Sequence, residues 1–196
     1  MDPATARAEC ERRIRLAWNW MQREQGFEKF RLTRLFPVMG VREGPRLIGR
    51  HVLTENEIQL GWAAQPRPER FITLADHELD IHGAGGMQQK LKQPYGVPYE
   101  CLLPREYRNV AAACRGAGFT HIAASSCRLS RTMMQLGHAA GLAAAVATRN
   151  DSSLPDVHLG RVRQWLEEDD VALTPEDPRF PRLRPALAVA AGHRSA

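Results

Sequence analysis

Three histidines stand where proton transfer is conceivable: His82 in LDIHG, His121 in FTHIA and His138 in LGHAAG. Imidazole gains and loses its proton near neutral pH, which makes it the usual general acid or base. A lone histidine is also a common structural residue, so its neighbours decide. Arg115-Gly116-Ala117-Gly118 follows the apolar run NVAAAC (Asn109 to Cys114) and begins like a dinucleotide fingerprint, but His121 occupies the third glycine position. The stretch from Gly83 to Gly86 fails in the same way. Neither is a nucleotide site by itself. Arg115 and Arg128 lie in the loop that leads to a helix start near Thr132. Free amides and a partial positive charge there suit an anionic or electron-rich group, and the guanidinium groups add planar donors. The blander alternative is a buried strand packed on a small-residue helix, with the arginines in solvent. His121, Cys114 and Cys127 match no standard zinc spacing, so no metal site is expected.

These residues need elements to carry them. Apolar residues at helical spacing predict a helix over Ala6 to Gln25, stopped by Gly26, with its aromatic stripe in a core. Leu32 to Val52 is broken by Pro37, Gly40, Gly44, Pro45 and Gly49, a pattern of strands and tight turns. Thr54 and Glu57 form a capping box before a short helix at Glu55 to Ala63. Phe71 to Leu74 and Glu78 to Ile81 read as strands, His82 to Gln93 as a mobile loop, and Tyr95 to Leu103 as extended chain. NVAAAC reads as a doubly buried strand. Thr132 to Thr148 is the clearest helix, with Ser130 as its cap and Gly137, Gly141 and Ala145 open to close packing. Asp156 to Glu168 is a last amphipathic helix, and the Pro- and Arg-rich chain beyond Thr174 is expected to be poorly ordered.

The composition is that of a globular chain: 196 residues, 43% hydrophobic and 25% charged. The net charge of +5 is spread along the chain, and no nucleic-acid-binding module accompanies it, so no nucleic-acid partner is expected. Cys10, Cys101, Cys114 and Cys127 form no C-x-x-C pair and follow no secretory signal, which predicts reduced thiols and a cytoplasmic location. The most apolar run, Met133 to Ala147, falls short of the roughly 20 residues a span requires, so no membrane association is expected.

Four segments in order carry a family likeness: GVREGPRLIGRHVLT (Gly40 to Thr54), LDIHG (Leu79 to Gly83), YGVPYECLLP (Tyr95 to Pro104) and NVAAACRGAGFTHIAASSCRLSRTMMQLGHAAGLAAA (Asn109 to Ala145). Together they resemble the carboxy-terminal half of the FAD-dependent oxidoreductase family with a glutathione-reductase-like fold. The likeness implies an α/β (α+β) chain: a mixed-sheet substrate region, then the returning strand and helix of a discontinuous FAD-binding domain. On that basis residues 1–34 are an N-terminal helical segment, 35–108 the substrate-domain-like region and 109–150 the returning strand and helix. Residues 151–174 hold a C-terminal helix and 175–196 a tail.

The likeness further implies FAD as cofactor, with Arg115, Gly116, Arg128, Leu129, Ser130 and Thr132 close to the flavin. Arg42, His82 and His121 become the catalytic candidates, with Arg46, Asp80 and Tyr99 beside them on the substrate side. The implied reaction is hydride transfer between a small organic substrate and the flavin. The amino-terminal fingerprint of the family is not present, so a separate chain supplying the dinucleotide-binding domain is an expected partner. Cys114 stands where the family has a glycine, Gly118 where serine is common and His138 where glutamine is common. The alternative reading is a non-catalytic remnant or interaction subunit that docks through residues 109–114 and does not bind flavin alone.

Overall fold

The Asp2 carboxylate accepts hydrogen bonds from the amides of Ala4 and Thr5 at 2.9 and 3.1 Å and starts α1 (Pro3–Glu24). Proline fits at the first helical position because no amide is required there. Gly26, at φ +74°, follows the helix end as expected. The computed structural model describes residues 2–82 and 86–180. Residues 1–41 form one unit and 42–196 another. Gly83 and Gly85 of the expected glycine loop, and residues 181–196 of the expected tail, lie outside the described residues. In the first unit the aromatic stripe does not make a buried core. Trp18 meets Phe27 edge-on at 6.1 Å, Phe27 meets Phe30 at 5.4 Å, and no residue of α1 is buried.

The second unit begins without the strands expected between Leu32 and Val52. Prolines and glycines interrupt any ladder, and the chain is held one bond at a time. Leu47 N donates to Gly116 O, Arg50 N to Leu103 O and Leu53 N to Gly118 O, at 2.8, 2.8 and 2.9 Å. This segment therefore threads between 100–104 and 116–120, joined by single bridges at Gly49–Pro104 and Leu53–Phe119. The capping box is present as expected: Thr54 Oγ1 accepts from Glu57 N at 3.3 Å, and Thr54 N donates to Glu57 at 2.9 Å. It starts α2 (Glu55–Leu60), which ends three residues early at Gly61, held at φ +70°.

Two small antiparallel sheets follow. β1 (Phe71–Ala75) pairs with β4 (Tyr95–Pro98), with Leu74 opposite Gly96. β2 (Leu79–Ile81) pairs with β3 (Met87–Gln89), with Asp80 opposite Gln88. β3 corrects part of the expected loop; its sequence, MQQ, is exposed throughout and offers no alternation to read. A three-ten turn at Tyr99–Leu102 then buries Tyr99, Cys101 and Leu102.

NVAAAC is not a strand. It is partly exposed, with Val110 46% accessible, and Ala112 N reaches Leu102 O at 2.8 Å as an isolated bond. A buried strand needs neighbours on both edges, and the described residues supply none there. α3 (His121–Cys127), capped by Thr120, and α4 (Ser130–Arg149) complete the site. The N-cap of α4 is Leu129, not Ser130, and it has no side-chain cap. Leu136, Ala139, Ala143 and Val146 bury the inner face of α4, which packs on β1 and on α5 (Leu159–Glu168). Gly137 and Gly141 face open space, so the close packing expected of them is not made by the described residues. The fold class is accordingly mixed α/β, helices around two small antiparallel sheets.

Candidate functional site

β2, α3 and the chain at 42–43 converge on one polar pocket. Its walls are Arg42, Glu43, Asp80, Ile81, His82, His121, Ser125 and Arg128, and its volume is about 180 Å³. The three catalytic candidates, Arg42, His82 and His121, therefore share one cavity although about 40 residues separate each from the next.

Each imidazole has a carboxylate beside it. His82 Nε2 lies 2.7 Å from Asp80 Oδ2 and also contacts Arg42 Nη1. One ring nitrogen cannot serve both neighbours at once. With a proton it donates to Asp80; without one it accepts from Arg42. His82 thus keeps a hydrogen bond at Nε2 in either state. His121 Nδ1 lies 2.8 Å from Glu43 Oε1, which holds a proton on that nitrogen and leaves Nε2 for other partners. Arg46 Nη1 reaches the same carboxylate oxygen at 3.5 Å.

Asp80 is the hub. Arg128 Nη2 donates to Asp80 Oδ2 at 3.0 Å and to its carbonyl oxygen at 3.2 Å, with the two side chains 10% and 16% exposed. Asp80 N donates to Ser125 Oγ at 3.1 Å, and Gln88 Nε2 reaches Asp80 Oδ1 across the hairpin at 3.4 Å. Burial pushes the Asp80 carboxyl up. Hydrogen bonds from His82 and Gln88, with the charges of His82 and Arg128, outweigh it and hold the group below its ordinary value.

A second, open cleft of about 510 Å³ lies at the start of α4, lined by Ala113, Cys114, Arg115, Gly116, Ser130, Met133 and Met134. Among the described residues no acceptor is found for the amides of Ser130, Arg131 and Thr132, because Leu129 offers no side-chain cap. Together with Gly116, where a side chain would come within 3.3 Å of Pro45 O, this is a setting for a flat, electron-rich group. Arg115 Nε donates to Arg128 O at 3.3 Å. Arg128 therefore sits between the cavities, its guanidinium on the first and its carbonyl turned to the second.

Of the cofactor candidates, Arg115, Gly116 and Ser130 line the open cleft and Leu129 caps α4. The Thr132 side chain is buried, and that of Arg128 belongs to the histidine pocket. Tyr99 is buried away from both; its hydroxyl donates to Leu154 O at 2.9 Å, and burial pushes it up to about 12. His138 pairs with Asp169 at 2.9 Å, outside both cavities. Burial pushes the Cys101 thiol well up and that of Cys127 to about 12, which leaves both as inert thiols; Cys114 is exposed in the open cleft. Sequence reasoning missed Glu43 and Ser125. Glu43 adjoins Arg42, and Ser125 lies one helical turn from His121 on a helix that the sequence does not announce.

A family model described as FAD dependent oxidoreductase matches residues 2–166. No curated protein and no solved structure matches the chain. Among the described residues no helix is long and apolar enough to cross a membrane.

Proposed function

The chain belongs to the FAD dependent oxidoreductase family, whose cofactor is FAD, and on that premise we propose that it corresponds to the carboxy-terminal part of such an enzyme. In this reading the ring end of the flavin lies in the open cleft at the start of α4, and the organic substrate lies in the histidine pocket. The observation that carries it is Arg128, whose guanidinium lines the histidine pocket while its carbonyl accepts from Arg115 of the open cleft. When bound, the flavin would supply the two-electron redox chemistry.

The residues supply the rest. As a hydride leaves a substrate carbon, a proton must leave the attached heteroatom, and His82 is the group that takes it. Its Nε2 takes it as the Arg42 contact gives way, and the proton gained there is then held by the Asp80 carboxylate. Arg128 and Ser125 hold Asp80 in place, and Glu43 orients His121. The uncapped amides of Ser130 to Thr132 favour the electron-rich edge of the ring. No G-x-G-x-x-G turn occurs in the sequence, and no parallel sheet is found among the described residues. They fit the ring end of FAD and not its ADP end. A unit outside them, such as a separate chain, holds the ADP half. The open face at Gly137 and Gly141 supports a second reading, a non-catalytic docking subunit; flavin fluorescence unchanged as the chain is titrated into FAD would favour it.

Redox potentiometry of FAD added to the chain tests the flavin assignment. A cation about 4 Å from a solvated charge contributes about 1 kcal/mol, or roughly 20 mV for a two-electron couple. Arg115→Ala should lower the flavin midpoint by about that amount, because reduced flavin carries negative charge. Arg161→Ala, where the guanidinium lies 5.4 Å from the Trp165 ring on α5, should leave it unchanged. Equal effects of the two substitutions would remove the flavin from this cleft.

A further inference from the structure

We infer that the histidine pocket takes a short-chain carboxylic acid, with the carbon to be oxidised only a few bonds from the carboxylate. The inference rests on the substrate assignment above and is carried by a surplus of donors. Among the described residues, most acceptors on the pocket wall are already engaged. Asp80 Oδ2 receives both His82 and Arg128, and Asp80 Oδ1 receives Gln88. Glu43 Oε1 receives His121 and Arg46, and Ser125 Oγ receives Asp80 N while donating to Ile122 O at 2.7 Å.

The donors are not exhausted. A guanidinium carries five N–H bonds. Arg128 places both of its hydrogen bonds through Nη2, and Arg42 makes its contact with His82 through Nη1, among the described residues. A pocket rich in N–H groups and short of acceptors is matched by a ligand that brings acceptors alone, and a carboxylate does so with a planar pair of oxygens that suits arginine.

Size narrows the class. A volume of about 180 Å³ equals about six waters at their share of the liquid. Carboxylate and reacting carbon must therefore both belong to a short chain, and among the described residues Ile81 is the apolar wall that receives its methylene groups.

The test is calorimetric titration of the full chain, without FAD, using succinate as probe. Succinate should bind with a dissociation constant near or below about 1 mM. Succinamide, which has the same length but no charge, should bind at least about tenfold more weakly, and so should sulfate, an oxyanion with no carbon chain. Arg42→Gln, at an exposed position that leaves the helices intact by circular dichroism, should weaken succinate by about tenfold. Arg161→Gln should not change it. Succinamide or sulfate binding as well as succinate, no succinate binding at all, or unchanged affinity in Arg42→Gln would each overturn the inference. Because FAD is left out, a failed flavin assignment would not alter these titrations, and a failed succinate titration would leave the potentiometry readable.

Discussion

Gly118→Ser should destabilise the chain by about 2–3 kcal/mol, the upper part of the range for forcing atoms into a filled space. Serine is the residue common at this position in the family that the sequence resembles, so the substitution looks conservative on paper. The local geometry rejects it. A Cβ on Gly118 would lie 2.5 Å from His51 O, 3.1 Å from Cys101 O and 3.3 Å from Gly49 Cα. All three are backbone atoms, which cannot rotate aside. The same glycine donates to Cys101 O at 2.7 Å and accepts from Leu53 N at 2.9 Å, so a shift would also break the bonds that thread residues 47–53. Urea or thermal unfolding measures the effect, with a fall in Tm of roughly 5–10 °C for a chain of this size. Gly118→Ala should cost nearly as much, because the clash begins at Cβ. A neutral Gly118→Ser would mean that 47–53 does not pass where the structure places it.

Arg128→Ala should destabilise the chain and remove most succinate affinity, because it takes the cation from the carboxylate it pairs with. Arg128 makes two of the hydrogen bonds that hold Asp80, at 3.0 and 3.2 Å. Without them Asp80 depends on His82 and the longer bond from Gln88. The pH dependence gives a second readout. A carboxyl held below its ordinary value adds stability that is complete above about pH 4 and is lost as the pH falls through the lower folded value. In Arg128→Ala that loss should move to higher pH. The double variant Arg128→Ala/Asp80→Ala should cost less than the sum of the single variants, since the second change removes a group already left unpaired. Strict additivity would show that the two side chains do not interact.

Most of the helices were legible in the sequence, and the reasons are local. α1, α4 and α5 have helical periodicity, and the Thr54–Glu57 box marks the start of α2 without ambiguity. β1 and β4 also fall where apolar residues cluster. What failed depends on partners that the local sequence does not name. NVAAAC has the composition of a buried strand, but among the described residues no neighbouring strand meets it, so it stays irregular. α3 consists mostly of small residues, and β3 is polar on both faces, so neither has a periodic signal. Ser130 is a better cap by residue type than Leu129, yet it sits one position inside the helix.

The candidate site divides along the same line. His82, His121 and Arg42 were found through motif likeness, and the fold brings them to one pocket. Arg128 was expected at the flavin because it adjoins the α4 start, but its side chain turns to Asp80 instead. That choice is made by a contact across 48 residues of chain, a distance over which spacing carries no information.

The central proposal is that the described residues hold the ring end of a flavin at the start of α4 and offer no seat for ADP. Titrating FAD into the isotope-labelled chain, with amide resonances followed by NMR, tests it most directly. The amides of Gly116, Ser130, Arg131 and Thr132 should shift together, with a dissociation constant weaker than about 1 μM, and riboflavin should produce the same shifts at similar concentrations. Binding of FAD at or below about 1 μM and far tighter than riboflavin, or shifts that leave these four amides untouched, would contradict it.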